Sequence, residues 1–337
     1  MSEVVHVAFI GCGHMARSHM KIIQQYVPKI HIRATMDISE EAAKSAYMDF
    51  KADYYTSEVD RVLKDPEVNA VYICTRHDTH VPVGKKAAEA GKNIFMEKPL
   101  ALTIEKCKEM EDTVRSTGIK FMSGFPQRFS TLSQRARELV PKPTMTWGRQ
   151  TQGRWDDNAW YQDPIQGGGN VLSTGCHTFD LVCWFNPSKP VQVYAQGGTM
   201  RHSNKDVIDT ATAVIRFENG SVATAMVADC APVGLPMMAY ELLGEGHGAF
   251  ILNWQELWYN SEPNGVGNKI DVKLRIPEGR RAPWDYGLIQ ESEAFADYIL
   301  HGGPSPVPVE DGTRATLLVL QAFKSIRTGR PQEINLD

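Results

Sequence analysis

The sequence predicts an α/β chain in two parts, a doubly wound parallel sheet followed by an α+β domain with a large, mostly antiparallel open sheet. Three observations carry this reading. An apolar strand over 4–10 runs into Gly11-Cys12-Gly13-His14-Met15-Ala16, a Gly-x-Gly-x-x-Ala turn that passes at once into a helical pattern. Strand and helix then alternate up to about Ser123. Beyond that point the segments are mainly strand-like. At 337 residues the chain exceeds the usual size of one core, and the change of rhythm divides it into 1–124 and 125–337.

After the first strand and its helix, 30–36 forms a second strand closed by Asp37. A helix follows around 39–50, with Ser39 placed to cap it and Glu40 and Glu41 in its first turn. The run 70–74 is continuously apolar, as a parallel strand covered on both faces must be. Helix 81–90 stops at Gly91, strand 93–96 follows, and helix 104–116 stops near Gly118 before strand 119–122. In the second part, helix 132–139 ends at Pro141-Lys142-Pro143 and one further helix covers 172–184. Six β-like segments come next, at 191–195, 210–217, 221–227, 239–243, 249–252 and 269–276, with a hairpin turn at Glu218-Asn219-Gly220-Ser221. Helices 289–300 and 311–328 close the chain. An open sheet leaves one face needing cover, so a homodimer or homotetramer through this sheet is expected.

Composition narrows the function. Hydrophobic residues make up 42% and charged ones 23%, an ordinary globular mixture. A net charge of −4 with no Lys/Arg cluster offers no field for nucleic acid, and no apolar run is long enough to span a bilayer. The first strand starts almost at once, leaving no room for a signal peptide. The six cysteines never form a C-x-x-C pair and read as reduced thiols of a cytoplasmic protein, with no metal-ligand spacing.

The glycine turn implies a dinucleotide. Gly11 permits the tight turn, Gly13 removes the Cβ that would block a pyrophosphate, and small Ala16 lets the helix pack on the strand. The phosphates would sit at the helix start, beside His14 and Met15. Asp37, about 20 residues beyond, can accept both adenosine-ribose hydroxyls. It repels a 2′-phosphate, and neither Ile38 nor a following arginine offsets that, so NAD is expected in preference to NADP.

Glu97-Lys98-Pro99 follows strand 93–96 at the carboxyl edge of the sheet, where doubly wound folds bind ligands. A lysine there faces the nicotinamide end, where the cationic ring and partial burial both lower its pKa and make it a usable base. Such a base is worth roughly 10²–10⁴-fold in rate. Glu97 would orient it or contact ribose. A second constellation opens on Gly167-Gly168-Gly169, with Ser173, His177 and Asp180 at i, i+4, i+7 on one helical face.

These motifs, with Gly124-Phe125-Pro126-Gln127-Arg128-Phe129, resemble the Gfo/Idh/MocA family of sugar and polyol dehydrogenases nearly end to end. The resemblance implies a Rossmann domain, an α/β substrate domain, NAD(P)-dependent oxidation of a ring secondary alcohol, and catalytic Lys98 and His177. It carries over Arg128 as a cation near cofactor or substrate, and Thr75, Arg76 and His80 as cofactor contacts. Many members carry Asp where this chain has Ser173, which leaves the proton relay to Lys98 and His177. Arg154, Trp155, Trp160 and Tyr161 offer aromatic faces and a cation suited to a sugar ring, and Trp284-Asp285-Tyr286 could close the same pocket.

The expected activity is oxidation of a secondary hydroxyl of an inositol, hexose, anhydrosugar or glycoside to a ketone. Ser173, Asp180 and Arg154 would orient hydroxyls. Two alternatives stand beside it: a glycoside-cleaving or epimerising enzyme that cycles tightly held NAD, and a non-catalytic sugar or NAD sensor.

Overall fold

A computed structural model of the chain describes residues 4–153, 155–230, 237–261 and 286–336. They fall into two compact units, Met1–Phe125 with Leu288–Thr313, and Pro126–Gly287 with Arg314–Asp337.

The first unit begins with β1 (Val5–Ile10), α1 (His14–Tyr26), β2 (Ile30–Met36), α2 (Glu40–Phe50), β3 (Tyr54–Thr56) and α3 (Val59–Lys64). It continues with β4 (Ala70–Ile73), α4 (His80–Glu89), β5 (Asn93–Met96), α5 (Ile104–Thr117) and β6 (Phe121–Ser123). All pairings are parallel and the order is β3-β2-β1-β4-β5-β6. Chain direction across the sheet reverses between β1 and β4, which places the ligand-binding crevice of a doubly wound fold at their carboxyl ends. Val7, Ala8, Phe9 and all of β4 are 0% exposed, as strands covered on both faces require. Helix starts follow their side chains: Ser39 Oγ accepts the Ala42 N–H at 3.3 Å and Thr103 Oγ1 that of Lys106 at 3.3 Å. Short edge strand β3 and helix α3 are additions to the expected elements.

The second unit contains α6 (Thr131–Leu139), β7 (Met145–Thr151), α7 (Asn170–Ser173), α8 (Gly175–Phe185), β8 (Pro190–Gly198), β9 (Thr210–Phe217) and β10 (Val222–Ala228). It goes on through β11 (Met238–Gly244), β12 (His247–Leu252) and β13 (Glu256–Asn260). The strand expected at 269–276 lies outside the described residues.

The closing elements are α9 (Leu288–His301), α10 (Val309–Thr328) and β14 (Gln332–Glu333). The second sheet runs β13-β12-β11-β7-β10-β9-β8-β14, antiparallel throughout except for the parallel pair β7–β10. Helix α8 covers its inner face at β7 and β10. On β9 that face carries Ala211, Ala213, Ile215 and Phe217, all buried, while Val214 and Arg216 point outward.

Helix α9 belongs to the first unit, although it follows the second in sequence. Phe295, fully buried, sets its ring 5.3 Å from Tyr72 and 5.5 Å from Phe95, and the helix lies on α1 and β1. The Ser123 N–H donates to the Val307 carbonyl at 2.9 Å, fixing the returning segment beside β6. The single cut at residue 124 therefore misses a segment whose packing partners lie some two hundred residues earlier in the chain.

Candidate active site

At the start of the first unit the chain makes a cradle. Gly11 has φ +91°, and a Cβ there would stand 2.6 Å from the Cys74 carbonyl oxygen, so the turn needs glycine on both counts. Gly13 is the N-cap of α1, with no side chain capping it, no acid in the first turn, and open space where a Cβ would be. Uncapped amides facing open space at a helix start suit a pyrophosphate. His14 is exposed and Met15 half-buried at this rim, while Ala16 is buried against the sheet.

Asp37 organises the same loop. Its Oδ2 accepts the Cys12 N–H at 2.8 Å and its Oδ1 the Ser39 N–H at 2.9 Å. Its carboxylate is thus fixed across the loop that starts α1, and Ile38 beside it is 89% exposed. Burial and the Asp37 charge push the Cys12 thiol up to about 12, so its sulfur is inert at neutral pH.

Past β4 the expected cofactor contacts divide. Thr75 is half-buried and its Oγ1 accepts from Thr79 Oγ1 at 2.9 Å. Exposed Arg76 pairs with Asp78 at 3.1 Å. His80 is 0% exposed, with Nδ1 2.9 Å from the Pro99 carbonyl and Nε2 3.1 Å from that of Thr75. Burial holds its pKa below the usual value. Both ring nitrogens thus face backbone, and the side chain joins the loop after β4 to the one after β5.

Lys98 stands just past the carboxyl end of β5, half-buried, and the peptide to Pro99 is cis. Glu97 is buried, its Oε1 lying 2.7 Å from His19 Nε2 and its Oε2 accepting the Lys98 N–H at 3.2 Å. The glutamate therefore fixes the backbone that carries the lysine, and His19 fixes the glutamate.

In the second unit the helix expected over 172–184 is broken. Helix α7 ends at Ser173, Thr174 stays in the right-handed helical region with φ stretched to −106°, and α8 starts at Gly175. A Cβ on Gly167 would lie 2.2 Å from the Tyr161 backbone, so the loop before α7 is pressed against 161. Ser173, at the end of α7, and His177, in α8, are both buried. The His177 ring meets Tyr286 edge-on, with centroids 5.8 Å apart. Tyr286 is in turn held by Gln127, whose Nε2 donates to the tyrosine Oη at 2.9 Å and whose Oε1 accepts from Tyr240 at 2.8 Å.

Asp180 and Arg128 meet. Arg128 Nε donates to Asp180 Oδ2 at 2.7 Å, its Nη2 binds the other oxygen, and Arg314 stands 3.8 Å away. With 1% and 3% exposure, the two side chains expected on substrate hydroxyls and near cofactor serve as one another's partner in this structure. Trp160 is exposed, and Tyr161 lies 4.4 Å from the Trp155 ring. Arg154, Trp284 and Asp285 are outside the described residues.

Sequence reasoning missed a second cluster that anchors this aromatic segment. Buried His202 places Nε2 2.6 Å from Asp229 and pairs with Asp157 through Nδ1, while Asp229 also accepts the Trp155 N–H at 3.1 Å. Burial opposes a charge on His202, but Asp229 and Asp157 outweigh it and hold the imidazole above its usual pKa. Asp209 takes three backbone N–H bonds, from Met200, Arg201 and His202, which overcome burial and keep it below the usual range. Nothing periodic marks these residues in the sequence.

A profile of the oxidoreductase family Gfo/Idh/MocA, described as an NAD-binding Rossmann fold, matches residues 5–125, and one for the family's C-terminal domain matches 141–248. The chain belongs to the Gfo/Idh/MocA family. Its first unit is the family's NAD-binding Rossmann domain, and the cradle around Gly13 fits that cofactor. A scyllo-inositol 2-dehydrogenase (NAD⁺) of Bacillus subtilis is 25% identical over 347 aligned positions, covering 100% of this chain and 98% of that protein. A levoglucosan dehydrogenase of Pseudarthrobacter phenanthrenivorans is 26% identical over 290, covering 74% of each. Among solved structures, a levoglucosan dehydrogenase in complex with NADH superposes with a TM-score of 0.88 at 22% identity, covering 99% of this chain and 100% of that one. No helix among the described residues is long and apolar enough to cross a membrane.

Proposed function

We propose that this oxidoreductase uses NAD to oxidise a secondary hydroxyl of a cyclic polyol or sugar to a ketone, with Lys98 as the base and His177 assisting. The observation that carries the reading is the placement of Lys98: half-buried, just past β5 at the ligand-binding edge of the sheet, on backbone fixed by buried Glu97 and His19. Gly11, Gly13, His14, Met15 and Asp37 would hold the dinucleotide, with Thr75 and Arg76 along its path. NAD supplies the hydride acceptor. Asp37 with a bare Ile38 beside it supports NAD over NADP, since a 2′-phosphate there would face a carboxylate and no cation.

The chain's own residues divide the remaining work. Lys98 Nζ takes the hydroxyl proton as the carbinol carbon loses hydride. His177, fixed edge-on to Tyr286, helps move that proton, and Ser173 offers a hydroxyl to a neighbouring ring oxygen. Trp160 and Tyr161 present aromatic faces to the ring carbons. Likeness along nearly the whole chain to inositol dehydrogenases, and over 74% of it to the levoglucosan enzyme, supports inositols and anhydrosugars as the first substrates to try.

The outer face of the second sheet supports a homodimer or homotetramer. Met145, Tyr194, Val214, Val222, Leu243 and Trp258 are all exposed on its strands, an apolar set that a second copy would cover. Four buried thiols, Cys12, Cys107, Cys176 and Cys183, support a reducing, cytoplasmic setting.

The test is NADH formation with a panel of inositols, aldoses and anhydrosugars. Lys98→Ala should lower kcat/KM by roughly 10²–10⁴-fold while NAD still binds. Undiminished turnover by that variant would remove the base and with it the mechanism.

A further inference from the structure

The second unit ties an aromatic loop to one buried histidine. Residues 155–162 belong to neither sheet and turn on themselves, the Ala159 N–H donating to the Asp156 carbonyl at 3.1 Å and the Gln162 N–H to that of Ala159 at 3.0 Å. They carry Trp155, Trp160 and Tyr161, and the position of those rings depends on what holds the loop from outside. Three points along it reach one node. At its start the Trp155 N–H donates to Asp229 Oδ1 at 3.1 Å, in its middle Asp157 accepts from His202 Nδ1, and at its end Gln162 Nε2 donates to Asp229 Oδ2 at 3.2 Å. His202 Nε2 donates to the same Asp229 oxygen at 2.6 Å, its nitrogen 2.9 Å from that of Gln162, so the two donors converge there. His202, Asp229 and Gln162 are fully buried. Behind them Asp209, buried too, accepts the His202 N–H at 2.8 Å, and its carbonyl accepts the Asp229 N–H at 3.1 Å.

The geometry fixes the protons. A ring nitrogen at hydrogen-bond distance from a carboxylate oxygen needs a proton between them. His202 meets an acid at each nitrogen, so it is the imidazolium and donates at both ends, through bonds of the charge-assisted kind. The Asp229 side chain is 0% exposed and takes three donors, whereas that of Asp157 is 24% exposed. Asp157 is therefore the tether that can be cut while the node itself stays intact. The far end of the loop meets the framework of the candidate site. The Gly169 N–H donates to the Tyr161 carbonyl at 3.0 Å, and Gly169 is the N-cap of α7, which ends at Ser173 and leads into α8 with His177. Tyr161 is thus held between the node and the backbone that introduces those two residues.

We infer that His202 is a positioning residue that sets substrate affinity: by bridging Asp157 to Asp229 it holds loop 155–162 in the shape that receives the ring of a polyol or sugar. The inference rests on the proposal that Trp160 and Tyr161 face that ring, and it names what keeps them in place. A flat aromatic wall gains contact with a sugar ring only if it is already set in position, since ordering it on binding would cost affinity. His202 acts through the loop without touching substrate. The dinucleotide cradle is built from other residues, so the loop's shape bears on the polyol and leaves NAD alone.

Amide hydrogen exchange and steady-state kinetics on Asp157→Ala and Asp157→Asn test this at the partly exposed end of the bridge. In Asp157→Ala, exchange over 155–162 should quicken while 210–228 keeps wild-type rates. KM for scyllo-inositol or levoglucosan should rise roughly three- to tenfold, since one of three tethers is cut and a charge-assisted bond is worth about tenfold or more. The kcat and the KM for NAD should stay where they are, a split that a general loss of stability would not give. Asp157→Asn still offers His202 Nδ1 an acceptor and should recover most of both effects. His202→Gln has a donor for one acid only and should show the same split as Asp157→Ala; if it does not fold, the Asp157 variants decide. Wild-type exchange over 155–162 in Asp157→Ala overturns the fastening. Quickened exchange with an unchanged KM for the polyol, or with KM for NAD rising alongside it, overturns the role in recognition. A wild type that forms no NADH with any inositol or anhydrosugar refutes the dehydrogenase reading instead, and the exchange result still judges the fastening.

Discussion

Removing either member of the Arg128–Asp180 pair should destabilise the second unit, and by unequal amounts. Both side chains are almost wholly buried, at 3% and 1% exposure, and bind one another through two hydrogen bonds. Breaking such a pair from one side costs about 3–5 kcal/mol, because it strands a buried charge. Asp180→Asn takes the bidentate carboxylate from Arg128 and should lie at the upper end, about 5 kcal/mol. Arg128→Met leaves Asp180 with Arg314, 3.8 Å away and 21% exposed, and should lie nearer 3 kcal/mol. The double variant Arg128→Met with Asp180→Leu removes both charges and should cost well below the sum, a coupling of several kcal/mol. The chain offers a clean probe, since all seven tryptophans fall within 147–284 and so within the second unit. Urea unfolding followed by tryptophan fluorescence therefore reports that unit alone, which avoids treating a two-unit chain as one transition. Additive losses, or a Arg128→Met variant less stable than Asp180→Asn, would refute the reasoning.

Two further outcomes follow from the loops around the site. Asp37→Ala should cut the preference for NAD over NADP by roughly tenfold or more, the scale of charge-assisted hydrogen bonds worth about 1.5–3 kcal/mol; the ratio of kcat/KM for the two cofactors checks it, and an unchanged ratio removes Asp37 as the selector. His202 has a folded-state pKa raised by Asp229 and Asp157 against burial, so its stabilisation is complete below the unfolded value of about 6.5 and fades as pH rises through the folded value. His202→Gln should flatten that alkaline decline in fluorescence-detected unfolding midpoints, and parallel curves for the two proteins would show that the cluster carries no such linkage.

What the sequence makes legible depends on where each residue's partner lies. Most of the first sheet could be read because its strands are buried on both faces and appear as unbroken apolar runs, each helix carrying its own stop or cap, such as Ser39 and Gly118. Strand β7 could not, although it is central in the second sheet. Its inward positions are Thr146, Gly148 and Gln150, and its outward ones include Met145 and Trp147. The apolar alternation is therefore inverted. The cause is close packing: a Cβ on Gly148 would stand 2.7 Å from Val182 and 2.9 Å from Tyr240, so α8 and β11 leave room only for small or hydrogen-bonding groups. The return of α9 to the first unit is equally silent, because nothing in an amphipathic helix names the sheet it will cover.

The site divides along the same line. Gly11, Gly13 and Asp37 are constrained by turns and spacings within one β-α-β unit, so local sequence places them beside one another in the loop that starts α1. Residues paired across many positions read differently once partnered. His19 lies 78 residues from Glu97 and Arg128 lies 52 from Asp180, and each partnership changes what the side chain is free to do. A helical wheel over 172–184 aligns Ser173 with His177 but gives no sign that the segment divides into two helices at Thr174.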